Sequence, residues 1–313
     1  MFNLLGSKVN SNRLLFILIL LCCINLYGSD RTLYVDNFSN ILGNPGKEDK
    51  LLLFAKRNNF KTLILYQLNK VDKRWSLTDA SKNGILAEFI SKAKTKYSVQ
   101  NIGASGESAT FFTNRIDPYN NTRTKSSEKF DIYNLEFEYW SKNASGDDGY
   151  YCENYLRDNN LACTRTGSFQ YFVNNLKELN SLSSKNKHNI KVEAYLAYFS
   201  KEEMKVINEL CDRVIIHGFG KNPKTAMNSA TKSLKLIMNL NSSIKTSILL
   251  STRMNHMGYW FKHNSLGKSE SLLFKEMNGK SLELRKQLNL DGFSYQTYSY
   301  LEKAISYYSY SQN

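Results

Sequence analysis

Eight times along this chain a short apolar stretch gives way to a longer segment with helical periodicity, and this alternation limits the fold more than any single motif. The strand-like stretches are residues 32–36, 62–68, 99–103, 130–140, 191–195, 213–217, 244–250 and 291–295. Helical stretches follow each of them. Residues 84–96 place Ile85, Leu86, Phe89, Ile90 and Ala93 on one helical face. Ser200-Lys201-Glu202-Glu203 spells a capping box, and Asn222-Pro223 puts proline in a permitted first turn. A single helix is expected over residues 269–288. Eight strand–helix units predict a single (β/α)₈ TIM barrel. A doubly wound open sheet is the alternative, but no glycine-rich nucleotide loop follows the first strand, and no cofactor is expected.

The barrel is preceded by a different kind of segment. Lys8 and Arg13 stand before an apolar run from Leu14 to Ile24, followed by Leu26-Tyr27-Gly28-Ser29. This reads as a secretory signal peptide over residues 1–28, leaving the barrel domain in residues 29–313 and an exported product. A membrane span needs about 20 apolar residues, so an uncleaved anchor is the weaker reading. Cys22 and Cys23 lack the small residues a lipoprotein site requires.

Net charge is +14, from 42 Lys and Arg against 28 Asp and Glu. The lysines are scattered rather than gathered into a stripe, which argues for solvated helix faces and against nucleic-acid binding. Cys152 and Cys163 flank one polar loop, 141–166, and an exported protein can oxidise them to a disulfide. His188, His217, His256 and His263 are too dispersed to argue a metal site.

Residues 130–140 carry the chemistry. Strand alternation puts Ile132, Asn134, Glu136 and Glu138 on one face, and Tyr133, Leu135, Phe137 and Tyr139 on the other. Carboxylates two residues apart on a strand lie roughly 6–7 Å from each other. Inside a barrel they would raise one another's pKa and prepare a proton donor. Barrel sites form at the C-terminal ends of strands, and those ends carry Asp36, Gln67, Ser105, Glu138, Tyr195, Tyr198, His217, Ser251 and Gln296. Aromatic residues nearby, including Trp140, Tyr259 and Trp260, are of the kind that stacks on sugars.

The stretch Asp131-Ile132-Tyr133-Asn134-Leu135-Glu136-Phe137-Glu138 resembles the D-G-x-D-x-D-x-E signature of glycoside hydrolase family 18, the chitinases and endo-β-N-acetylglucosaminidases. It keeps two of the four acidic positions, Asp131 and Glu138. The resemblance implies hydrolysis of β-linked, N-acetylglucosamine-type glycans. Glu138 would be the acid/base, Glu136 the carboxylate that orients the substrate's acetamido group, and Asn134 its buried support, with Asp131 grouped with them as a catalytic residue. Substrate contacts would fall to Trp140, Tyr195, Tyr198, His217, Trp260, Tyr295 and Gln296. Three departures touch the acetamido pocket: Glu136 is one methylene longer than the family's Asp, the strand-six stretch Ile215-Ile216-His217-Gly218-Phe219 has no Tyr where the family often carries Met-x-Tyr, and Gln296 or Tyr295 stands where strand eight usually ends in a Trp. These departures keep two alternatives open, a barrel that binds glycans without cleaving them and an unrelated barrel hydrolase using His217.

Overall fold

A computed structural model describes residues 30–240 and 242–311. The segment expected to be a signal peptide, with Cys22 and Cys23, lies outside the described residues. The eight strands are β1 (Asp30–Val35), β2 (Phe60–Leu65), β3 (Asn101–Gly106), β4 (Ile132–Leu135), β5 (Lys191–Leu196), β6 (Arg213–His217), β7 (Lys245–Ser251) and β8 (Leu290–Gln296). They pair in parallel, each with its neighbours in sequence, and β8 returns to β1 to close the barrel. No helix among the described residues is long and apolar enough to cross a membrane.

The helices form where local chemistry favours them. Ser200 and Glu203 make the reciprocal capping box, and Asn222 and Thr225 make a second one with Pro223 at the first helical position. Helix Gly84–Lys96 buries Leu86, Phe89, Ile90 and Ala93 against the sheet. Each large side chain buried in this way contributes roughly 1.5–3 kcal/mol. The segment expected as one helix over 269–288 is two, Leu266–Lys280 and Leu282–Gln287, because Ser281 adopts extended backbone between them. A further helix, Leu68–Trp75, begins where the second strand-like stretch was expected to end.

β4 is four residues long, not the eleven its pattern predicted. Its partner β3 runs out at Gly106, whose carbonyl accepts the Glu136 amide at 2.9 Å, and the chain then leaves the sheet. The alternation of faces holds despite the short ladder. Ile132 joins Tyr34, Ile64, Tyr195, Ile215 and Leu249 inside the barrel, while Tyr133, Leu135, Phe137 and Tyr139 pack outward under the helices. Gly103 makes the inner layer possible: a Cβ there would lie 2.4 Å from Ile64 Cδ1 and 3.1 Å from Ile132 Cβ. Without a side chain on β3, the isoleucines of β2 and β4 meet across it.

Beneath this layer lies a buried ionic plug. Arg213 Nε is 2.8 Å from Glu193 Oε1, its Nη1 is 3.0 Å from Asp291 Oδ2, and its Nη2 donates to Thr32 Oγ1 at 3.1 Å. Burial pushes the Glu193 carboxyl up while Arg213 holds it down. Asn134, fully buried, donates to Tyr34 Oη at 3.2 Å and to Glu193 Oε2 at 3.4 Å. Such a network fixes one arrangement of the core more than it stabilises the fold, since desolvation offsets most of the attraction.

Candidate active site

A cavity of about 830 Å³ opens over the C-terminal ends of β1, β2, β3 and β8. Glu136 stands in its lining, directly after β4. The Tyr66 hydroxyl lies 2.7 Å from Glu136 Oε1 and 2.8 Å from Oε2, and Gln296 Nε2 donates to that hydroxyl at 3.0 Å. Burial raises the Glu136 pKa from 4.5 to about 7; the Tyr66 and Ser105 contacts pull it down, and the charges of Glu138 and Glu107 push it up. A carboxyl in this range can hold a proton at neutral pH and give it up.

A second carboxylate faces the same space. Glu107 follows β3 and accepts the hydroxyls of Tyr150 at 3.0 Å and Tyr155 at 2.8 Å. Both tyrosines come from the loop held by the Cys152–Cys163 disulfide, which has a Cα–Cα distance of 5.1 Å. The covalent tie limits how far this wall of the cavity can move. Asp36, at the end of β1, accepts the Ser299 amide at 2.9 Å and also the Ser299 hydroxyl.

The structure does not bring the residues singled out from the sequence to one place. Glu136 and Gln296 share the cavity. Glu138 does not: it is exposed, off the cavity lining, and its amide donates to the Tyr151 hydroxyl at 3.0 Å. Its carboxyl is also shifted upward, by partial burial and then by Glu107. Asp131 lies at the opposite end of β4, where it meets Lys94 Nζ at 2.7 Å, His188 Nε2 at 2.9 Å and the Ile102 amide at 2.8 Å. Placing it with the catalytic groups is therefore corrected: it pins the floor of the barrel. Asn134 sits one layer below the cavity.

Trp140, Tyr195 and His217 gather over the other half of the barrel, beside the cavity rather than in it. The Trp140 ring meets Tyr195 edge-on at 5.5 Å, and the Tyr195 hydroxyl is 2.6 Å from His217 Nδ1. His217 lies against Phe219 at 4.0 Å, and Phe219 against His256 at 5.3 Å. The two histidines, far apart in sequence, thus flank one ring. Burial lowers the pKa of each, followed by the charge of His256 for His217 and of Arg253 for His256. Tyr198 is 69% exposed. Trp260 and Tyr295 are packing residues. The Trp260 indole donates to Ser269 Oγ at 2.9 Å, and Tyr295 is fully buried outside the barrel wall with its hydroxyl on Glu270 Oε1 at 2.6 Å. Their expected sugar contacts are corrected accordingly.

Tyr66 and Glu107 did not stand out in the sequence. Continuing the β2 alternation from Thr62 through Ile64 to Tyr66 points Tyr66 inward, and this was the available signal. Glu107 gave none beyond following a strand end.

No protein-family model matches the chain, and no curated protein matches it. Solved structures do. The β-glycosidase BGL167 superposes with a TM-score of 0.50 at 8% identity, covering 86% of this chain and 86% of that one. A chitinase from Ipomoea carnea gives 0.47 at 14% identity, over 89% and 98% of the two chains. A 2,3-dimethylmalate lyase gives 0.44 at 8%, over 94% and 82%. The chain is a TIM barrel similar in fold to barrel enzymes of differing chemistry, and likeness at such identity shows the fold alone.

Proposed function

We propose that this chain is an exported glycoside hydrolase acting on β-linked glycans, with Glu136 as proton donor. The observation that carries the reading is the Glu136 carboxyl, held near neutral pKa in the lining of a polar cavity at the catalytic end of a TIM barrel. Glycoside hydrolysis needs a protonated acid at the leaving oxygen and a second carboxylate near the anomeric carbon. Glu136 gives its proton to the glycosidic oxygen as the C–O bond breaks. Glu107, positioned by two tyrosine hydroxyls, takes a proton from the water that adds to the sugar.

The β4 motif's resemblance to family 18 supports descent from glycan-cleaving barrels, with the acid moved two residues back along the chain. In that register the position of the family's orienting carboxylate falls on Asn134, which is bonded beneath the cavity to Tyr34 and Glu193. Handling of an acetamido group by that residue finds no support, and Glu107 is the better second group. Reducing-end release from a panel of β-linked oligosaccharides, with wild type, Glu136→Gln and Glu138→Gln, tests the reading. Glu136→Gln should lose turnover while Glu138→Gln retains most of it; the reverse order would restore Glu138 as the acid.

A second reading, binding without cleavage, is favoured by one observation: the residue matching the family's catalytic Glu, Glu138, lies outside the cavity. Tight binding of the panel with no product from wild type would select it.

A further inference from the structure

The cavity carries two cations that the protein leaves unengaged. Arg253 follows β7 and Lys70 stands in the helix after β2; both line the cavity and both are exposed. Neither side chain makes a hydrogen bond or ion pair with the described residues. By contrast, Arg31, Arg115, Arg157, Arg165 and Arg213 each hold a carboxylate, and Arg74 and Arg123 lie over aromatic rings. Among the described arginines only Arg57, at the end of a helix that does not line the cavity, shares the condition of Arg253.

The backbone of Arg253 is nevertheless anchored. Its carbonyl accepts the amides of His256 and Gly258, both at 2.9 Å. The turn closes this tightly because residue 258 is glycine: a Cβ would lie 2.4 Å from the Thr252 carbonyl and 2.8 Å from that of Arg253. Thr252 in turn holds Thr297, beside Gln296, through bonds of 2.7 and 2.8 Å. The cavity's own carboxylates have other partners: Ser299 for Asp36, Tyr150 and Tyr155 for Glu107, and Tyr66 for Glu136. A guanidinium carried on an anchored backbone thus faces solvent in a cavity where three carboxylates have other partners. Its planar fork matches a carboxylate in two parallel hydrogen bonds. The net positive charge, +14 with Lys8 and Arg13 counted and +12 without them, would also draw an anionic ligand toward the protein.

We infer that the glycan this cavity takes is anionic, with Arg253 clasping a sugar carboxylate and Lys70 adding a second positive contact. This rests on the glycoside reading above and narrows its substrate to uronate-containing chains. The test is calorimetric titration with β-1,4-linked oligosaccharides of equal length made of glucuronate, of glucose, or of sulfated glucose. Wild type should prefer the glucuronate ligand over the glucose one at least tenfold. Arg253→Gln should abolish that preference, Arg253→Lys should recover only part of it, and Arg57→Gln, which removes the same charge elsewhere, should leave it intact. Equal affinity for uronate and neutral ligands, or equal loss in Arg57→Gln and Arg253→Gln, overturns the inference and leaves the glycoside reading standing. A preference for the sulfated ligand over the uronate overturns the carboxylate assignment. Failure of all three ligands to bind overturns both.

Discussion

The Tyr66 hydroxyl sits almost equidistant from the two oxygens of Glu136, at 2.7 and 2.8 Å. A donor so placed stabilises the carboxylate, while burial disfavours it, and the two oppose each other at the one acid most central to the cavity. If Glu136 must be protonated to act, its pKa sets the alkaline limb of the pH–rate profile. Tyr66→Phe removes a contact that lowers that pKa, so the limb should move to higher pH. A profile unmoved in this variant would separate Glu136 from the rate-controlling proton.

Glu136→Gln should lower turnover about 10²–10⁴-fold, the usual worth of general acid catalysis, with a much smaller loss of ligand affinity. Steady-state rates and binding measured side by side check this. Residual turnover above a tenth of wild type would remove Glu136 from the acid role.

The same variant should be more stable than wild type at alkaline pH. A carboxyl raised from 4.5 to about 7 in the folded state costs nothing below pH 4.5, where both states are protonated. The cost grows between those values and is complete above about pH 7, reaching at most about 3 kcal/mol at 1.36 kcal/mol per pKa unit. Denaturant melts should therefore coincide for wild type and Glu136→Gln at pH 4 and separate at pH 8, with the variant the more stable.

Asp131→Asn should lower stability by about 2–3 kcal/mol, because it leaves Lys94 and His188 without their shared, mostly buried partner. Turnover of the folded variant should stay within about twofold of wild type. A large loss of turnover at unchanged stability would contradict the placement of Asp131 in the barrel floor.

Opening the Cys152–Cys163 bridge, by reduction or by Cys152→Ser with Cys163→Ser, should cost about 3 kcal/mol for a loop of 11 residues. Turnover should fall as well, because the loop delivers Tyr150 and Tyr155 to Glu107. Thermal melts and rates with and without reductant check both parts.

The barrel could be read from the sequence because its period signals are local. Residues 213–217 and 84–96 match β6 and the helix Gly84–Lys96 at both ends, and the Ser200 and Asn222 caps formed as spelled. The face of each β4 residue was legible for the same reason. Where that strand stops was not, because the stop depends on its neighbour β3 running out at Gly106. That two-residue difference is what separates Glu138, by motif, from Glu136, by geometry. The pairing of His217 with His256, and of Glu107 with tyrosines more than 40 residues away, likewise depends on barrel closure and on a loop fold that no local pattern encodes.

The plug of Arg213, Glu193, Asp291 and Thr32, roofed by Asn134 and Tyr34, makes the barrel a vessel with one door. Water cannot thread through a layer of mutually bonded, buried side chains, so a proton given up by Glu136 in the proposed reaction would have to be replenished from the mouth. On the proposed reading, the same opening would admit the glycan and release both halves of it. Turnover would then be paced by departure of the fragment lying across that mouth, and longer products, slower to leave, would keep Glu136 waiting for its next proton.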